Sequence, residues 1–170
     1  SVGSRAVSAN QAILAFLEDT TGRRQYTLRF RDVSTGKDYG DRITGLSSEV
    51  VWANDNKTVF YIENDPETLL SKRVRKHVLG TDPKADPVVY EEADDTFYMG
   101  IGRTRDDAYI VIALDSTVSN ETRYAPASDP AQFKVLAPRE RDLEYDADHH
   151  GGRWVIRTNA DGATNFKLVT

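Results

Sequence analysis

Ala53-Asn-Asp-Asn-Lys-Thr-Val-Phe-Tyr-Ile62 runs a polar turn directly into a strongly apolar strand. The same coupling returns in Ser8-Ala-Asn-Gln-Ala-Ile-Leu-Ala-Phe-Leu17, in Thr104-Arg-Asp-Asp-Ala-Tyr-Ile-Val-Ile112 and in His150-Gly-Gly-Arg-Trp-Val-Ile156. With Leu14, Val59, Ile110 and Val155 taken as equivalents, successive copies lie 45, 51 and 45 residues apart. A multi-stranded unit that repeats every ~40–50 residues has the spacing of β-propeller blades.

Outward from the repeats, the flanking segments read as antiparallel strands. Residues 12–19 are followed by a polar hairpin at 20–24 and a second strand at 25–33. In that strand Tyr26, Leu28, Phe30 and Asp32 share one face, and Thr27, Arg29 and Arg31 the other. Ser34-Thr-Gly-Lys37 is the next hairpin, where Gly36 can take positive φ without steric cost. A strand over 38–44 closes the first unit. Val50-Val-Trp52 and Phe97-Tyr-Met99 open the second and third units.

The predicted fold is therefore all-β, with blades at approximately 1–45, 46–93, 94–140 and 141–170, the last of them incomplete. That is about three and a half four-stranded antiparallel blades. An isolated blade cannot bury both faces, so the reading is of a fragment whose open strand edges favour self-association. Residues 70–78 admit two periods. Leu70, Val74 and Val78 recur as on a helix, while Lys72, Val74, Lys76 and Val78 alternate as on a strand. Register with the other repeats selects the strand.

Composition narrows the function. The 170 residues hold 39% hydrophobic residues, and the longest apolar stretch, Tyr109-Ile-Val-Ile-Ala-Leu114, suits a buried strand, so no membrane-spanning helix is expected. Cysteine is absent, which removes disulfides and thiolate metal sites and agrees with a reducing, cytoplasmic compartment. A net charge of -5 argues against nucleic acid as a partner.

Order and spacing of several strings carry a family resemblance. Arg23-Arg-Gln-Tyr-Thr-Leu-Arg-Phe-Arg-Asp32, Val51-Trp-Ala-Asn-Asp55, Tyr90-Glu-Glu-Ala-Asp-Asp-Thr-Phe-Tyr98 and Leu143-Glu-Tyr-Asp-Ala-Asp148 resemble the propeller of oligopeptidase B, within the prolyl oligopeptidase family of serine peptidases. The resemblance implies a seven-bladed parent ring and a separate catalytic α/β-hydrolase domain, absent from this chain. It further implies cleavage of short peptides after Lys or Arg, with the propeller covering the active site. The partners it implies are the missing hydrolase domain, the remaining blades and basic short peptides. No cofactor is expected.

Rival chemistries find little support. An α/β-hydrolase nucleophile needs a G-x-S-x-G turn, and Gly45-Leu-Ser-Ser-Glu49 ends in glutamate, so no catalytic residue is assigned. His149 and His150 are adjacent and face opposite sides of a strand, which a single metal ion could not easily bridge. Asp146-Ala-Asp148 with Gly151 imitates a calcium loop, but Arg157 stands where the closing glutamate belongs. Gly100-Ile-Gly102 lacks the third glycine of a dinucleotide loop and is read as a close approach to neighbouring backbone. Trp52, Phe60, Tyr61, Phe97, Tyr98 and Trp154 are read chiefly as filling between blades. Arg23, Arg24, Arg29 and Arg31 are expected to pair with blade carboxylates or the absent domain.

One electrostatic feature stands out. Glu91, Glu92, Asp94 and Asp95 join two units and would concentrate Lys- or Arg-containing peptides if they faced the central cavity; otherwise they form a solvated connector. Two other classes of function stay open: a protein-interaction propeller without a hydrolase, and a propeller glycosidase with convergent carboxylates on its axis. A reading frame continuing into a G-x-S-x-G segment selects the peptidase.

Overall fold

The computed structural model describes residues 2–163 and 167–169, and it divides into two compact units, residues 1–93 and 94–170. Thr170, the end of the predicted fourth blade, lies outside the described residues. The chain is all-β and built of antiparallel propeller blades, with two short 3-10 turns at Pro83–Ala85 and Ala160–Gly162. Among the described residues, no helix is long and apolar enough to cross a membrane.

In the first unit seven strands pair in sequence order. They are β1 (Val2–Val7), β2 (Ile13–Glu18), β3 (Tyr26–Asp32), β4 (Asp38–Trp52), β5 (Thr58–Asn64), β6 (Ser71–Val78) and β7 (Val88–Glu91). The long β4 serves two blades. Its first half pairs with β3, as in Leu28 opposite Ile43, and its second half with β5, as in Trp52 opposite Val59. Leu46 opposes both Tyr26 and Glu63. Next to it Gly45 takes φ of 76°, and the register slips between Leu46 and Val50. A side chain at Gly45 would strain that turn, so the glycine lets the outer strand of one blade become the inner strand of the next.

Alternation builds the core between the first two blades. Ala15 and Leu17, Leu28 and Phe30, Val59 and Tyr61 point into one cluster with Ile43, Leu46, Val50 and Trp52. Phe60 and Ile62, on the opposite face of β5, are also fully buried. A strand covered on both faces has no polar side to show, hence the unbroken Val59-Phe-Tyr-Ile62 run. Trp52 is buried at 2% exposure, meets Phe30 edge-on at 5.9 Å, and donates its Nε1–H to the Ala6 carbonyl at 2.9 Å. It bolts the inner strand of the second blade to that of the first.

Carboxylates shape the hairpins. Asp32 accepts from the Ser34 and Thr35 amides, Asp55 from Lys57 and Thr58, and Asp65 from Glu67 and Thr68. Each replaces a backbone turn with a side-chain one. The turn hydroxyl of Ser34 and the Thr35 and Ser34 amides hold Asp32 below the ordinary carboxyl range.

The second unit contains β8 (Tyr98–Arg103), β9 (Tyr109–Asp115), β10 (Asn120–Pro126) and β11 (Lys134–Ala137) as one sheet. A second sheet comprises β12 (Tyr145–His150), β13 (Arg153–Thr158) and β14 (Lys167–Val169). Tyr109, Tyr124, His149 and Trp154 interlock between these sheets, with ring centroids 4.7–5.5 Å apart. The buried Tyr145 hydroxyl accepts from the Thr122 amide and donates to the Ala137 carbonyl, both at 2.7 Å.

Three readings change. Residues 2–7, given no strand from the sequence, form β1. Tyr98 does not fill a core; it opens β8 opposite Asp115 and is 65% exposed. At Gly102 an added Cβ would meet nothing within 4 Å, so close backbone approach is not what that glycine serves. Residues 71–78 are a strand, as register demanded.

Candidate functional site

The acidic connector disperses into four different environments. Glu91 ends β7 opposite Arg73 on β6, whose Nη2 lies 2.8 Å from its carboxylate. Glu92 is 7% exposed and accepts from the Tyr90 hydroxyl at 2.9 Å, while its amide donates to the Lys72 carbonyl. Asp94 caps a turn by accepting from the Thr96 hydroxyl at 2.6 Å and amide at 2.9 Å. Those bonds, with the charge of Arg139, keep its carboxyl below the ordinary range. Asp95 is exposed. Glu91 is thus compensated, Glu92 is sequestered, and the outward field of the connector falls to Asp94 and Asp95.

Of the four arginines expected to pair, Arg29 and Arg31 meet blade carboxylates. Arg31 pairs with Asp38 at 2.6 Å and stacks 5.1 Å from the centre of the Phe16 ring, and Arg29 lies between Glu18 and Asp38. Arg23 and Arg24 are exposed; the Arg24 amide helps bind Asp19. In the second unit the nearly buried Glu121 accepts from Arg123 Nε at 3.0 Å and from the Arg139 amide at 3.1 Å. Burial pushes the Glu121 carboxyl up, but these donors outweigh it and hold it below its ordinary value. Arg139 also lies 3.7 Å over the Phe97 ring.

Histidines take part in buried polar clusters. His149 is 8% exposed, with Nδ1 2.5 Å from Asp106, whereas His150 on the other face of β12 is exposed. Burial raises the Asp106 carboxyl, and hydrogen bonds to His149, the Ala108 amide and Thr104 overcome that and bring it down to about 2. Asp148 accepts from the Arg105 amide at 2.8 Å, and Asp146 lies 3.7 Å from Arg157, so these two aspartates serve separate partners.

His77 is the cluster sequence reasoning missed. It is fully buried on β6, with Nε2 2.6 Å from Asp41 of β4 and Nδ1 2.9 Å from Asp86. Tyr61 of β5 donates to the other Asp86 oxygen at 2.7 Å. Both ring nitrogens face carboxylates, leaving none to activate a serine hydroxyl as a triad histidine must. Residues 41, 61, 77 and 86 have no common spacing, so only tertiary pairing reveals them. Beside this cluster a cavity of about 490 Å³ is lined by Arg42, Leu46, Tyr61, Glu63, Arg75 and Lys84. The lining acids are engaged: Glu63 accepts from both Arg73 and Arg75, and Asp82 from the Lys84 amide.

Comparison with known proteins places these blades. The family described as prolyl oligopeptidase, N-terminal beta-propeller domain, matches residues 1–170. Dipeptidyl aminopeptidase BI from Pseudoxanthomonas mexicana is 60% identical over 99% of this chain and 23% of its own length. Protease 2 from Moraxella lacunata is 28% identical over 99% of this chain and 25% of its own. Oligopeptidase B from Leishmania major has the same fold with a TM-score of 0.93 at 28% identity, covering 99% of this chain and 24% of that one. The chain thus spans about a quarter of the length of the relatives it matches.

Proposed function

Because the chain belongs to the prolyl oligopeptidase N-terminal β-propeller family, we propose that it forms part of the non-catalytic, substrate-gating propeller of a serine peptidase. The remaining blades and an α/β-hydrolase domain carrying the nucleophile would be its partners within one longer polypeptide. The observation that carries this reading is the family match over all 170 residues in a chain without a nucleophile elbow. A cytoplasmic location belongs to the same reading and is supported by the lack of cysteine.

Two substrate choices divide the reading. Likeness to oligopeptidase B and Protease 2 supports cleavage of short peptides after Lys or Arg. The far higher identity to dipeptidyl aminopeptidase BI favours removal of dipeptides from a free amino terminus. In either case Asp94 and Asp95, aided weakly by Glu91 and Glu92, are assigned to draw cationic peptides towards the covered site.

The test is mass spectrometry of products from the full-length polypeptide. Short peptides containing Arg and Lys are supplied with free and with acetylated amino termini. Cleavage of the acetylated series after Arg or Lys supports the endopeptidase. Sequential loss of dipeptides from the free series alone supports the aminopeptidase. Digestion of a folded protein as fast as of a short peptide would refute gating, and no cleavage of either series would refute the peptidase assignment.

A further inference from the structure

The His77 cluster has a proton inventory that its burial makes consequential. A neutral imidazole offers one N–H and one lone pair, yet both nitrogens lie within hydrogen-bond distance of a carboxylate oxygen. Both contacts are satisfied only if Asp41, His77 and Asp86 together hold two protons. Those protons sit on the two ring nitrogens, or one sits on the ring and one on a carboxyl; the net charge is the same. Removing one proton sets two lone pairs against each other, 2.6 Å apart on the Asp41 side or 2.9 Å apart on the Asp86 side.

The remaining neighbours cannot supply the missing proton. Tyr61 already donates to Asp86, and burial together with that carboxylate pushes its hydroxyl well above the ordinary tyrosine range. Arg75 of β6 donates its Nη1–H to the Asp86 backbone carbonyl at 2.8 Å and its Nε–H to Glu63. The Gly80 amide donates to Asp41 at 2.8 Å. From β3 the Phe30 ring approaches, 5.9 Å from the imidazole centre.

The placement gives the cluster mechanical meaning. Asp41 lies in the half of β4 that pairs with β3, in the first blade. His77 and Tyr61 belong to the second, and Asp86 follows the Pro83–Ala85 turn that leads into β7. We propose that Asp41, His77, Asp86 and Tyr61 form a proton-operated latch between the first and second blades, closed while the set keeps both protons and released when it loses one. Tyr61 and Arg75 also line the 490 Å³ cavity, which brings solvent to the edge of the latch. Buried ionic groups seldom add stability over apolar residues of equal volume, so a switching role accounts for polar chemistry where a hydrophobic core would serve. Histidine is the side chain whose ordinary titration falls between about pH 5 and 8.

Hydrogen exchange on the full-length polypeptide tests the latch. Protection factors, which remove the intrinsic pH dependence of exchange, are compared for residues 38–44 and 77–86 against β2 as pH rises from about 6 to 9. The expected result is a fall of about tenfold or more in the latch segments relative to β2. The oxygen of Asp41 that faces His77 Nε2 also accepts from the Gly80 amide, so D41N can keep that bond while taking one negative charge from the set, and the fall in protection should move to lower pH. A constant ratio in the wild type, or an unchanged pH response in D41N, overturns the proposal. Should D41N fail to fold, the ring ¹⁵N shifts of wild-type His77 decide. A change in the ring shifts that tracks the loss of protection upholds the latch, and ring shifts that stay constant at every pH overturn it.

Discussion

Replacing Trp52 by Ala should be among the most damaging single changes in the first unit. The side chain is 2% exposed, touches Phe30 edge-on and ties β4 to β1 through the Ala6 carbonyl. Truncating a buried tryptophan costs about 3–5 kcal/mol from lost transfer energy and the cavity left behind. Against a domain stability of about 5–15 kcal/mol, that is about a fifth of the total or more. Trp52→Phe separates the contributions: it keeps most of the apolar volume and loses the indole N–H, for about 0.5–1.5 kcal/mol. Urea unfolding followed by far-ultraviolet circular dichroism provides the assay, with unchanged slopes required before midpoints are compared. An unmoved midpoint for W52A accompanied by altered peptide affinity would refute the core assignment and make Trp52 a ligand contact.

Tyr145→Phe should destabilise by about 1–3 kcal/mol, because it leaves the buried Thr122 amide without its acceptor; a loss confined to a few tenths in the same urea assay would show that water replaces the hydroxyl. Asp106 has a folded value of about 2 against an ordinary 3.8, so its ionised form contributes stability above 3.8 that is lost as pH falls through about 2. D106N should therefore flatten that part of the acid-unfolding curve, and an unchanged curve counts against the His149 contact. In the full-length polypeptide, neutralising Glu91, Glu92, Asp94 and Asp95 to Gln and Asn should lower kcat/KM for Arg-rich peptides chiefly at low salt, since exposed charges reach only about 8 Å at physiological ionic strength. A salt-independent fall in kcat would contradict steering.

The parts of the fold legible in sequence are those written locally. A polar turn followed by an apolar strand occupies ten residues or fewer, and its return at Ile110 and Val155 needs no tertiary knowledge. β1 was illegible because Val2-Gly-Ser-Arg-Ala-Val7 has neither a turn signal nor a clear alternation; pairing with β2 and the Trp52 bond create the strand. β6 was ambiguous for a related reason. Its buried residues, Val74 and His77, are three apart and lie on opposite faces of a strand covered on both sides. A polar residue buried there and an exposed Val78 make the apolar pattern mimic a helix. The connector carboxylates were visible as a charge run, but Arg73, which compensates Glu91, comes from another strand, and the burial of Glu92 against the Tyr90 hydroxyl leaves no mark in the sequence.

The same division of labour explains where polar groups gather. Apolar faces of successive blades are alike, and hydrophobic burial is non-directional, so it cannot choose which faces meet or in what register. Directional bonds between blades supply that choice. In the first unit they include the Asn10 amide to Asn56, Trp52 to Ala6, and Asp41 to His77. In the second they include the Arg105 amide to Asp148, His149 to Asp106, and Thr122 to Tyr145. Repeat identity is thus written in the strands, whereas neighbour identity is written in these few cross-blade bonds. Among those six, the Asp41–His77 contact is the one in which the ring is fully buried and has a carboxylate against each nitrogen. That makes the first blade-to-blade contact the point at which a change of protonation can alter the pairing while the apolar core around Phe30 and Trp52 stays packed.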